Sequence, residues 1–122
     1  MSGPAKSGAL IYANNVEALT EFYLSSCGMV LTYQTPEMNI LNANGFQLII
    51  HKSPVELAIS SPPEERQFAI KLFFTVQDIE HSKNKIREKG GFVNTEVWQG
   101  PNFYVSNAVD SEGNVFHLRW AK

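Results

Sequence analysis

The chain is 122 residues long, 43% apolar and 18% charged, with ten Lys and Arg against twelve Asp and Glu and a formal net charge of −2. Roughly two thirds of the unfolded surface of such a chain is buried on folding, so one domain forms a real core without disulfide or structural metal, and a lone cysteine, Cys27, points to a reducing cytoplasm. No apolar run nears the roughly 20 residues of a membrane span, no export signal opens the chain, and the balanced charge lacks the basic stripe of a nucleic-acid binder, which excludes membrane and nucleic-acid partners and leaves a small molecule or another protein.

Residues 9–13 are the first predicted strand. Asn15 then caps a helix in which Glu17 sits in the first turn, Val16, Leu19, Phe22 and Tyr23 recur at helical spacing, and Gly28 is the stop. Strands follow at 29–35, 38–41 and 46–51, with turn signals at Pro36 and Asn44-Gly45. The stretch 53–67 contains Ser60-Ser61-Pro62-Pro63-Glu64-Glu65 and reads as a surface linker. A strand at 69–76 leads to a second capped helix: Asp78 is the cap, Ile79 and Ile86 share a face, Lys83, Lys85, Arg87 and Lys89 crowd the C-terminal turns where cations suit the dipole, and Gly90-Gly91 ends it. The last strands are 92–98, 103–109 and 115–120, divided by Gly100-Pro101 and Glu112-Gly113.

The chain therefore reads twice. Asn15-Val16-Glu17 through Gly28-Met29-Val30 matches Asp78-Ile79-Glu80 through Gly91-Phe92-Val93 at an offset of 63, and Leu41-Asn42-Ala43-Asn44-Gly45 matches Val109-Asp110-Ser111-Glu112-Gly113 at an offset of 68. The plan is strand, helix, three strands, performed in a first module at about 8–52 and a second at about 68–121, with the linker at about 53–67 between them.

Strand side chains alternate, so each strand splits into two faces. Ala9, Ile11, Ala13, Phe46, Leu48 and Ile50 form one face of the first half, and Ile70, Leu72, Phe74, Val76, Phe116, Leu118 and Trp120 the matching face of the second. Both are apolar and suit cover by the helices. The opposite faces are mixed: Gly8, Leu10, Tyr12, Gln47, Ile49 and His51, then Lys71, Phe73, Thr75, Val115, His117 and Arg119. Polar groups among aromatic and aliphatic neighbours are what a ligand wall requires, and the ligand-binding set read from these faces is Lys71, His117, Arg119, His51, Tyr12, Phe73, Thr75 and Gln47. Tyr33, Trp98, Phe103 and Tyr104 are further candidate walls, the parity of Trp98 and Tyr104 being open. With two or three cations on one patch and no acid at an inner-face position, an anionic or carboxylate-bearing organic ligand is the simplest partner. Cys27 precedes Gly28 at a helix end rather than opening a helix, which disfavours it as a nucleophile.

Asn15-Val16-Glu17-Ala18, Phe22-Tyr23 and Gly28-Met29, together with Asp110-Ser111-Glu112-Gly113-Asn114, resemble the signatures of the vicinal oxygen chelate superfamily, the group of glyoxalase I, extradiol dioxygenases and bleomycin resistance proteins. Asn15 stands for the usual Asp and Ser111 for the usual Pro; both keep their capping or turn-forming role. The resemblance implies an α+β fold of two tandem βαβββ modules forming a curved mixed sheet around a cleft, helices on the outer face, and a homodimer, the commonest assembly of soluble chains. It also implies a divalent metal held at four positions, which here are Gly8, Ile49, Lys71 and His117. Only His117 is a donor, with His51 two residues beyond Ile49 on the same face. The expectation is thus a small-molecule binding protein of the glyoxalase or bleomycin-resistance type, with no catalytic metal and no cofactor. The alternative is a metal-dependent lyase, isomerase or dioxygenase-like enzyme, with His117 or His51 as base.

Overall fold

The computed structural model describes residues 4–59 and 69–122. Its elements are β1 (Gly8–Ala13), α1 (Val16–Cys27), β2 (Val30–Gln34), β3 (Met38–Ala43), β4 (Phe46–Lys52), β5 (Phe73–Thr75), α2 (Ile79–Glu88), β6 (Phe92–Val93), β7 (Trp98–Gln99), β8 (Phe103–Val109) and β9 (Val115–Ala121). The fold is α+β, and the two halves repeat one topology: β1-β4-β3-β2 in the first sheet and β5-β9-β8-β6 in the second, with β7 also on β8. In each, the first strand runs parallel to the last, and the others pair antiparallel. The hydrogen bonding divides the expected single curved sheet into two open sheets, one per module. Most of the linker lies outside the described residues. Among the described residues no helix is long and apolar enough to cross a membrane.

Both helix starts form as the side chains dictate. Asn15 accepts a hydrogen bond from the Ala18 N–H at 3.0 Å, and Asp78 accepts one from His81 at 3.0 Å. The helices and the apolar sheet faces share a single core across both modules, in which Leu19, Phe22, Tyr23, Leu41, Leu48, Ile50, Ile86, Phe116 and Leu118 are sealed from solvent. Each such side chain contributes about 1.5–3 kcal/mol. Edge-to-face rings bind the halves: Phe22 meets Phe116 at 6.1 Å, and Phe46 meets Phe74 at 6.2 Å. Gly91 is packed closely against both backbone and core. A Cβ there would lie 2.1 Å from the Val109 carbonyl oxygen and 2.7 Å from the Phe22 ring, so Gly91→Ala is expected to cost about 1–3 kcal/mol, read as a lowered urea midpoint.

Three expectations fail locally. The strand expected at 69–76 shortens to β5 because its partner β9 begins only at Val115, and with Phe73 opposite His117 the residues before Lys71 have nothing to pair with. Ile70, expected on the apolar face, is consequently 81% exposed. The strand expected at 92–98 breaks into β6 and β7 because four residues, 94–97, face only two, 106–107, between the Val93–Ala108 and Trp98–Val105 pairs, and the Ser106 hydroxyl donates to the Glu96 carbonyl at 2.8 Å in the gap.

Candidate functional site

The uncovered face of the second sheet carries the cations. Register sets Phe73 beside His117 and Thr75 beside Arg119 on β5 and β9, then Asn107 beside His117 and Val105 beside Arg119 on β8. Trp98 on β7 lies opposite Val105 and so shares this face, whereas Tyr104 pairs with Trp120 on the helix side, their rings 5.9 Å apart. Lys71, just before β5, donates to the Asn107 side chain at 3.4 Å.

Arg119 is held flat. Its guanidinium lies 3.9 Å from the Phe73 ring centre and 4.1 Å from that of Phe103, a two-sided cation–π clamp. The Nε atom is sealed beneath the rings without a partner, and among the described residues no carboxylate comes within 4.0 Å of Arg119, Lys71 or His117. Partial burial, then Lys71, then Arg119 hold the His117 imidazole below its ordinary pKa. An uncharged imidazole between two fixed cations is a group that an incoming anion would recharge.

The predicted residues thus separate into two groups. Lys71, Phe73, Thr75, His117 and Arg119 come together on the second sheet. Tyr12 and His51 lie on the uncovered face of the first, their rings edge-on at 5.9 Å, with His51 Nδ1 2.8 Å from the Lys52 carbonyl oxygen. Gln47 pairs with Gly8 and lines a shallow groove with Leu10 and Ile49. Among the described residues, no hydrogen bond or ring contact joins Tyr12, His51 or Gln47 to the cationic group. Asn107 and the clamp formed by Phe103 with Phe73 were not picked out from the sequence. Counting outward from the Asp110–Asn114 turn places Asn107 opposite His117, so the signal for it was present.

The four positions at which the resemblance implies a metal do not fit one here. Gly8 and Ile49 have no donor atom, Lys71 is itself a cation, and His117 stands alone. The first position is also closed sterically, since a Cβ on Gly8 would lie 2.1 Å from the Gln47 carbonyl oxygen. Among the described residues no three His, Cys, Asp or Glu side chains converge as a ligand set. Cys27 is a poor nucleophile, its thiol pushed up to about 12 by burial.

No family model matches the chain, and no curated protein matches it. Solved structures do. A glyoxalase/bleomycin resistance protein from Albidiferax ferrireducens T118 superposes with a TM-score of 0.69 at 15% identity, covering 95% of this chain and 98% of that one. A glyoxalase/bleomycin resistance protein/dioxygenase family enzyme from Burkholderia phytofirmans PsJN gives 0.68 at 15% identity, with coverage of 95% and 98%. The fosfomycin resistance protein FosX from Listeria monocytogenes gives 0.66 at 14% identity, with coverage of 100% and 95%. Together with the doubled strand-helix-three-strand topology, these likenesses show that the chain has the glyoxalase/bleomycin resistance protein/dioxygenase fold.

Proposed function

We propose that this protein binds a small organic anion on the uncovered face of its second sheet and does so without a catalytic metal. The observation that carries the reading is Arg119, clamped between Phe73 and Phe103 beside Lys71 and His117, with no carboxylate facing any of the three among the described residues. Neighbouring cations at contact separation repel by about 1–4 kcal/mol depending on exposure. A carboxylate or phosphate would replace that repulsion with charge-assisted hydrogen bonds. A thermal-shift screen of carboxylates, phosphates, thiol conjugates and cationic antibiotics tests it. Anionic compounds at about 100 times their Kd should add about 2.7 kcal/mol, a shift of several degrees; stabilisation by the cationic compounds alone would overturn the proposal.

The same reading includes a homodimer in the cytoplasm. Leu10, Tyr12 and Tyr33 are exposed on the uncovered face of the first sheet, away from the cationic face, an apolar surface that suits a second copy. Light scattering at micromolar concentration should return twice the 13.7 kDa chain mass; the monomer mass would refute the dimer. The lone, partly buried thiol suits a reducing compartment.

A further inference from the structure

Two crevices run between the modules at places related by the repeat, one where β1 meets the start of β9 and one where β5 meets the turn into β4. At the first, the turn before β9 reaches across the boundary. Glu112 accepts the backbone N–H groups of Asn14 and Asn15 at 2.8 and 2.7 Å, and Asp110 accepts the Tyr23 hydroxyl at 2.7 Å. At the second, Asn44 stands in the place of Glu112 and, among the described residues, makes no hydrogen bond to the second module. The boundary stays open there as a crevice of about 780 Å³, within the size range of small-molecule sites.

The described lining of this crevice is mostly apolar, with Thr32, Asn42, Asn44 and Thr75 as its neutral polar members. Phe46 and Phe74, in edge contact, line it together with Val30, Ala43, Leu72 and Phe73. Among the described residues Lys71 is the one charged residue that lines it, and no acid does. Phe73 belongs both to this wall and to the Arg119 clamp, so crevice and cationic face are continuous. An inorganic anion would leave the apolar walls wet. A neutral hydrocarbon would leave Lys71 unmatched.

We infer that the inter-module crevice takes the apolar body of an amphiphilic organic anion, an aryl or medium-chain acyl carboxylate, with its head group against Lys71. The inference rests on the proposed function and adds the shape of the ligand to it. It also makes the ligand a bridge between modules on the side that lacks the Glu112 contact.

Calorimetric titration with acetate, butyrate, hexanoate and octanoate, and with octanamide as the uncharged match, tests the inference. Each added methylene should strengthen binding about two- to fourfold, and octanamide should bind about tenfold or more weakly than octanoate. Backbone amide resonances of Ala43, Asn44 and Thr75 in the unmodified protein should move with octanoate, an observation that needs no variant to fold. Val30→Ser, an uncharged change at an exposed strand position on the crevice wall, should weaken octanoate about threefold while changing acetate little. Affinities flat with chain length, with resonance changes confined to Asn107, His117 and Arg119, would overturn the crevice and leave the cationic face standing. Octanamide binding as tightly as octanoate, or no carboxylate binding at all, would overturn the crevice inference and the proposed function together.

Discussion

Asp110→Ala is expected to destabilise the folded protein by about 3–5 kcal/mol, a large share of the 5–15 kcal/mol that holds a domain of this size together. Asp110 is completely buried. Its carboxylate accepts the Tyr23 hydroxyl, the backbone N–H groups of Glu112 and Asn114 at 2.9 and 3.0 Å, and the Asn114 side-chain amide at 2.9 and 3.2 Å. Truncation leaves all of these donors without acceptors and opens a cavity. It also loosens the turn that presents Glu112 to the start of α1. Tyr23→Phe removes one donor and leaves the others in place, so it should cost only about 1–2 kcal/mol. Urea titration of the two variants separates them, and equal losses would mean that the turn does not depend on its carboxylate.

Asp110 and His117 act on stability in opposite directions. Burial outweighs the hydrogen bonds at Asp110 and raises its pKa in the folded state. Its share of stability is therefore whole below the ordinary aspartate range and is lost as pH rises through the raised folded value. His117 is lowered by partial burial and by Lys71 and Arg119. Its share is present above the ordinary imidazole value and is lost as pH falls through the lowered folded value. His117→Gln should accordingly flatten the loss of stability on the acid side of neutrality, seen as a smaller change in urea midpoint between neutral and mildly acidic buffer.

Much of this architecture was legible because it rests on local chemistry. Asn15 and Asp78 cap their helices through their own side chains, and strand alternation correctly assigns Leu48, Ile50, Phe116 and Leu118 to the core. What was not legible depends on partners distant in sequence. Ile70 has the alternation of a core residue and is exposed because β9 starts too late to pair with it. The break between β6 and β7 depends on a two-residue mismatch against β8, ten or more residues away in the chain. At the site, alternation set Lys71, Phe73, Thr75, His117 and Arg119 on one face, and the register lays Phe73 beside His117 and Thr75 beside Arg119. It could not show that Phe103 closes over Arg119 from the next hairpin strand, or that Asn44 leaves open a boundary which Glu112 bridges on the other side.

Arg119→Met is expected to weaken an anionic ligand such as octanoate by about 10- to 100-fold, the value of a charge-assisted hydrogen bond in a partly desolvated place. Arg119→Lys should not restore it. Lysine keeps the charge but loses the flat, delocalised surface that Phe73 and Phe103 grip and the paired in-plane donors that face a carboxylate. The histidine beside it sets the pH dependence. Free His117 has a lowered pKa, and a bound anion next to the imidazole raises it. The complex then takes up a proton at any pH between the free and bound values, so affinity rises as pH falls through that interval and levels off below the free value. Added salt should weaken binding by screening the same charges. In His117→Gln the salt dependence should remain while the pH dependence disappears. Calorimetry in two buffers of different ionisation enthalpy would show the proton taken up by the parent and not by the variant. A parent protein that binds octanoate with no proton uptake between mildly acidic and neutral pH would remove His117 from the site and leave the anion to Lys71 and Arg119 alone.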